Sequence, residues 1–154
     1  MSHTVVLPLN EAKWRAVNPS AVVLMLIQSA MAWAVSRLAA YLINDVTMFR
    51  NPELVAVVAQ HKARCIVSHL SPDSPTIADA HANPRTRSVD QVRSELLATY
   101  HQLVKHGVPA ERIILDPGIG FGKTMELNRQ LLGFAQEMPE HPLLIGYSRK
   151  RFLG

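Results

Sequence analysis

From about residue 41 onward the chain alternates short apolar runs with longer amphipathic stretches. "AAYLIND" (residues 39–45) reads as a buried strand ending in polar residues, and "RCIVSHL" (64–70), "RIIL" (112–115) and "HPLLIGY" (141–147) repeat that form. Between the first two lies "NPELVAVVAQHKA", where Asn51 can cap a helix, Pro52 suits its first position and Glu53 complements its dipole. Ser88 and Gln91 form a capping box that opens a second helix. Its apolar residues Val92, Leu96, Leu97, Tyr100, Leu103 and Val104 recur at helical spacing, and Gly107 ends it. "MELNRQLLGFAQEM" (125–138) predicts another helix, whereas the proline-rich "SPDSPTIADAHANPRTR" (71–87) predicts a long loop.

Strand–helix alternation with short apolar strands predicts an α/β fold whose parallel sheet is covered by helices. Ligands of such folds bind beyond the carboxyl ends of the strands. Four polar groups then share one rim: Asn44-Asp45, Ser68-His69, Asp116 and Ser148-Arg149-Lys150.

Residues 21–43, "AVVLMLIQSAMAWAVSRLAAYLI", are long enough to span a bilayer, which takes roughly 20 apolar residues. Arg37 near the middle is costly in lipid. Lys13 and Arg15 before the run and "AWA" (32–34) within it also fit a targeting signal. A buried helix running into a strand is the preferred reading, ahead of a membrane or targeting segment and of a non-native stretch.

Composition narrows the class. The chain has 154 residues, 48% hydrophobic and 18% charged, which suits one packed domain or part of one. Cys65 is the only cysteine, so an intramolecular disulfide is excluded and a reducing cytoplasm fits. The formal charge is +4, but the basic residues are scattered, and only "SRKR" (148–151) forms a run. Nucleic-acid binding thus rests on charge alone, and a mildly positive field equally serves a small phosphorylated substrate.

"IILDPGIGFGKT" (113–124) nearly spells a phosphate-binding P-loop. That motif requires a glycine where this chain has Pro117, which lacks an N–H, and Gly118 is one residue too close to Gly122-Lys123-Thr124. The evenly spaced Gly118, Gly120 and Gly122 also fail the dinucleotide fingerprint. Asp116, at a strand end before proline, can instead accept two N–H groups from a guanidinium or an amidine-like heterocycle edge. Asn44 suits the same heterocycle from another side. Arg149 and Lys150 can hold a phosphate, carboxylate or carbonyl. The glycines let backbone approach a ligand, and Phe121 can cover a flat ring. Singly, each residue has a plainer role: turn former, strand-end turn, exposed basic tip. His69 and His81 flank Asp73 and Asp79 without a metal-ligand spacing.

"LINDV" (42–46), "GVPAERIILDPGIGFGKT" (107–124) and "LLIGYSRKRFLG" (143–154), in this order, strongly resemble dihydropteroate synthase. The resemblance covers about residues 41–154 and leaves 1–40 as a divergent segment. It implies a TIM barrel, with this chain supplying strands four to seven. It implies condensation of a dihydropterin-methyl pyrophosphate with p-aminobenzoate to dihydropteroate in folate synthesis. Asn44, Asp116, Gly146 and Lys150 are then the pterin-binding residues, and Phe121, Ser148 and Arg149 border the aminobenzoate. Magnesium is implied as the cofactor that stabilises the pyrophosphate leaving group.

The chain departs from that family at several points. Ser68-His69 stands where the family usually has Met-His, so an apolar pterin contact is replaced by a hydroxyl. The family's first three strands, with their metal-binding Asn, and its eighth strand are not matched, and a full barrel takes about 250 residues. A four-strand piece has two open edges, so a homodimer or other partner completing the core is expected. The alternative function is a pterin-binding or interaction module without turnover. A pterin-binding methyltransferase ranks below both because it lacks "SRK".

Overall fold

The computed structural model describes residues 23–26, 42–61 and 63–146. Four strands form one sheet in the order β1 (Val23–Leu26), β2 (Leu42–Asp45), β3 (Arg64–Ser68) and β4 (Ile113–Asp116), all parallel. A single parallel bridge joins Leu143 to Leu115 and places residues 142–144 beside β4. The α/β class with a parallel sheet therefore holds. The element counts differ in detail. Val23–Leu26, expected within a buried helix, is a strand paired to β2 from Val23↔Leu42 to Leu26↔Asp45. A short apolar run cannot be told from a buried helical segment by periodicity alone, and the β-branched Val23 favours the strand. The remainder of 21–41 lies outside the described residues. Of the strand expected over 141–147, the described residues show bridge positions at Leu143 and Leu144, with Leu143 paired to Leu115, and Tyr147 lies outside them.

The helices follow their caps. In α1 (Pro52–His61) the Asn51 side chain accepts from the Glu53 N–H at 2.9 Å. In α3 (Val89–Lys105) the capping box closes both ways, Gln91 N to Ser88 Oγ at 3.1 Å and Ser88 N to Gln91 Oε1 at 2.9 Å. Gly107 stands at φ +95° just beyond the end, as a helix-ending glycine does. The long loop contains an unexpected short helix, α2 (Ile77–Ala82). Thr76 caps it by accepting from Asp79 N at 3.0 Å, a signal that the surrounding prolines obscure. The expected helix over 125–138 is α4 (Met125–Gln130) followed by a 3₁₀ stretch, Leu131–Gln136. Among the described residues no helix is long and apolar enough to cross a membrane.

The period-2 alternation of the strands sorts their side chains onto two faces. Ile43, Cys65, Val67, Ile113 and Leu115 belong to the core cluster with Leu54, Val55 and Val58 of α1 and Val92, Leu96 and Leu103 of α3. The other face carries Leu42 and Asn44, Ile66 and Ser68, Ile114 and Asp116. Its last row, at the carboxyl ends of β2, β3 and β4, is polar.

Candidate functional site

The site begins with that row. Ser68 and Asp116 are register partners on adjacent strands, and Asn44 stands opposite Ile66, two residues earlier on β3 and so on the same face. The Ser68 hydroxyl lies 2.9 Å from Asn44 Oδ1 and 3.1 Å from Asp116 Oδ2. The second carboxylate oxygen, Oδ1, accepts from Gly118 N at 2.8 Å. With a donor at each oxygen the carboxylate plane is held. Asp116 is therefore more than a turn former, although its bond to Gly118 serves that role too.

Asp45, grouped with Asn44 at the sequence level, does separate work on the opposite face. Its carboxylate accepts from Thr47 N at 3.1 Å, from Thr47 Oγ1 at 2.9 Å and from Phe49 N. It thereby holds a turn in which Met48 and Phe49 have φ of 61° and 51°. Left-handed backbone is unfavourable for such side chains, and a buried carboxylate with several donors compensates for it.

The glycine loop after β4 is built from its backbone. Gly118, Gly120 and Gly122 have φ of 65°, 86° and 59°. A Cβ at Gly118 would stand 2.2 Å from the His69 carbonyl oxygen, and one at Gly122 would stand 2.3 Å from that of Ala80. The loop is thus pressed against the end of β3 on one side and α2 on the other. Lys123, 9% exposed, turns its ammonium back into this structure, donating to the carbonyls of Gly118 at 2.8 Å, His69 at 3.2 Å and Phe121 at 3.4 Å. A P-loop lysine reaches outward to phosphates, so the P-loop likeness fails on geometry as well as on spacing. Asn128 of α4 straps the same loop, accepting from Gly120 N at 2.8 Å and donating to the Lys123 carbonyl at 3.2 Å.

Phe121 sits half-buried at the bend of this loop, and its N–H donates to the Gly118 carbonyl at 3.0 Å. Gly146 is buried, three residues beyond the Leu143 that pairs with Leu115, which places it at the same end of the sheet as Asp116. Asn44, Asp116, Phe121 and Gly146 are thus gathered at one rim. Ser148, Arg149 and Lys150 lie outside the described residues. The sequence reading does not single out Lys123 and Asn128 as organisers of the loop, nor Arg50. The Arg50 guanidinium donates to the carbonyls of Ser74 at 2.6 Å, Ser71 at 2.8 Å and Leu70 at 3.3 Å, pinning the segment after β3. An "FR" pair after a strand gives no local signal of such a clamp.

His69 lies behind the rim, 1% exposed, with Nε2 2.7 Å from Glu95 Oε2. Arg87 pairs with the same Glu95 at 3.2 Å and with Asp73. Burial pushes the imidazole down to about 4, against the upward pull of the Glu95 hydrogen bond, and Lys123 and Arg87 add to the lowering. The ring is therefore neutral at pH 7, with the proton on Nε2 donated to Glu95. A histidine whose folded pKa lies below its unfolded value stabilises fully above the unfolded pKa of about 6.5. That contribution is lost as the pH falls toward 4, because the unfolded chain binds the proton first. Urea denaturation between pH 7 and pH 4 is expected to show a loss approaching about 1.4 kcal/mol per pH unit from this group, flattened in His69→Gln. An unchanged pH slope in the variant means that another group titrates. Cys65, fully buried against the core, has its thiol pushed up to about 12 by burial and by Asp45, so it is not a nucleophile.

Residues 23–154 match the family model described as "Pterin binding enzyme". The match begins ahead of residue 41, where the resemblance quoted from the motifs starts, and it takes in β1. The chain is 39% identical over 127 residues to dihydropteroate synthase of Synechocystis sp., covering 73% of this chain and 39% of that protein. It is 33% identical over 138 residues to the mitochondrial folate synthesis bifunctional protein of Pisum sativum, covering 82% of this chain and 27% of that protein. Among solved structures it is similar to dihydropteroate synthase from Thermus thermophilus in complex with 4-aminobenzoate. There the TM-score is 0.79 at 34% identity, over 96% of this chain and 60% of the other. The same enzyme in complex with 6HMPPP gives 0.76 at 32% identity, over 97% and 63%. The chain therefore spans about two fifths of the length of the Synechocystis relative and about a quarter of the pea protein. By its fold and by the match to the family model over most of its length, this chain belongs to the pterin binding enzyme family.

Proposed function

We propose that the chain is part of a dihydropteroate synthase, a transferase of folate biosynthesis joining dihydropterin-methyl pyrophosphate to p-aminobenzoate. The observation that carries this reading is the Asp116 carboxylate, fixed through both oxygens at the end of β4 beside Asn44. A planar acceptor of that kind matches the amino-pyrimidine edge of a pterin, whose adjacent N–H groups point the same way. Asn44 reads the ring from a second strand, Gly146 lines the pocket and Lys150 contributes a cation. Phe121, at the bend of the glycine loop, borders the aminobenzoate together with Ser148 and Arg149. The amine of p-aminobenzoate attacks the pterin methylene as pyrophosphate leaves, so the protein's contribution is alignment of the two rings and exclusion of water.

Magnesium would travel with the pyrophosphate. Among the described residues no group of three or more His, Cys, Asp or Glu side chains is placed to hold a metal ion. In this reading the chain contributes the middle strands of a TIM barrel, the remainder coming from further chain or from a second copy in a homodimer. A cytoplasmic setting belongs to the same reading, and a single cysteine suits a reducing compartment. The second reading is a non-catalytic pterin-binding or interaction module that needs a partner to complete the barrel, since an open parallel sheet leaves unpaired edges.

A thermal melt with pterin pyrophosphate tests the site without requiring turnover. A ligand at a hundred times its Kd stabilises the folded state by about 2.7 kcal/mol. For a chain of this size that is a rise of roughly 5–10 °C. An unchanged midpoint at saturating ligand rules the pterin site out. A rise with no dihydropteroate formed once p-aminobenzoate is added selects the module over the enzyme.

A further inference from the structure

Ser68 is fully buried, so it does not serve a ligand or water directly. Its hydroxyl is within bonding distance of two acceptors, Asn44 Oδ1 at 2.9 Å and Asp116 Oδ2 at 3.1 Å. A hydroxyl has one proton and cannot donate to both. An ionised carboxylate is acceptor-only, whereas an amide offers either end, and its oxygen and nitrogen are assigned from the network around it. The arrangement that satisfies all three groups is a one-way chain: the Asn44 amide N–H donates to Ser68 Oγ, and Ser68 O–H donates to Asp116.

Resting on the pterin-site reading above, we propose that Ser68 is a positioning residue that sets the hydrogen-bonding polarity of the site. With its nitrogen turned toward Ser68, Asn44 presents its carbonyl oxygen to the rim. The rim then offers acceptors from both β2 and β4 and selects a ring edge made of donors. Without the hydroxyl, Asn44 is released to turn either end outward, and the distinction between a donor edge and an acceptor edge weakens. The ligand class selected is a fused heterocycle carrying an amino group between ring nitrogens, in preference to the same bicycle with an oxo group at that position.

Two variants separate bonding from packing. Ser68→Ala removes the donor, and Ser68→Cys restores the volume with only a weak S–H donor. In nitrogen–proton spectra of the ligand-free chain, Ser68→Ala is expected to move the Asn44 side-chain amide pair. By calorimetry with pterin and with lumazine, its 2-oxo counterpart, both variants are expected to lower the pterin-over-lumazine affinity ratio about tenfold. An Asn44 signal that stays in place in Ser68→Ala overturns the hydrogen-bonded chain. Weakening of both ligands alike, with Ser68→Cys restoring both, overturns the polarity role in favour of plain packing. If the Asn44 signal moves but the unaltered chain binds neither compound, the chain of bonds stands and the pterin reading falls.

Discussion

Gly118→Ala is expected to lower the stability of the chain by about 2–5 kcal/mol. Left-handed backbone costs an alanine about 1–2 kcal/mol, and overpacking a tight contact adds about 1–3 kcal/mol. Here both apply, because φ is +65° and the new Cβ would stand 2.2 Å from the His69 carbonyl oxygen. Neither partner can yield cheaply. That carbonyl also accepts from Lys123, and the His69 N–H donates to the Asp116 carbonyl at 2.9 Å. Displacing the loop would therefore disturb the end of β3, the lysine strap and the Asp116 carboxylate together. Gly133 is the internal control: nothing lies within 4 Å of a Cβ placed there, and Gly133→Ala is expected to be neutral or stabilising by up to about 1 kcal/mol. Urea denaturation of the two variants side by side decides the matter. Equal midpoints would mean that the loop relaxes freely and that its glycines are not held by the contacts described.

Much of this arrangement is legible in the chain, and the illegible parts share a physical cause. Caps are local, so Asn51 and the Ser88–Gln91 box can be read from a few residues and recur in the structure. The strand ends can be read because apolar runs stop at Asn44-Asp45, Ser68 and Asp116. Pairings between distant segments leave no such trace. Nothing in "GFGKT" says that the lysine folds back onto carbonyls of its own loop and of His69, and nothing near Ser68 says that its hydroxyl joins residues 24 positions before it and 48 after it. β1 escapes for a different reason. A four-residue apolar strand carries no period, and only its pairing with β2 distinguishes it from helix. Asp45 adds a third kind of difficulty, since two adjacent polar residues at a strand end fall on opposite faces. One joins the site and the other holds a turn.

Asp116→Asn is expected to weaken pterin binding by a hundredfold to a thousandfold, about 3–4 kcal/mol, while leaving the melting point of the ligand-free chain within a few degrees. The fold has little reason to change, since an amide has the carboxylate's shape and its oxygen can keep the bond from Gly118 N at 2.8 Å. That bond then dictates the rest. With Oδ1 facing Gly118, the amide nitrogen must occupy the place of Oδ2, beside the Ser68 hydroxyl, which can accept from it. A donor now stands where the wild-type rim offers an acceptor, so an N–H of the pterin edge meets an N–H of the protein. The charge that strengthened the remaining bond is gone as well. Loss of affinity thus has two sources, repulsion between donors and removal of charge, and they separate experimentally. Asp116→Ala removes the charge without adding a donor, so it should bind pterin more tightly than Asp116→Asn if the repulsion contributes. Calorimetric titration of both variants measures this. Wild-type affinity in Asp116→Asn would show that the carboxylate faces no ring at all, and that the acceptor at the end of β4 serves only the turn into the glycine loop.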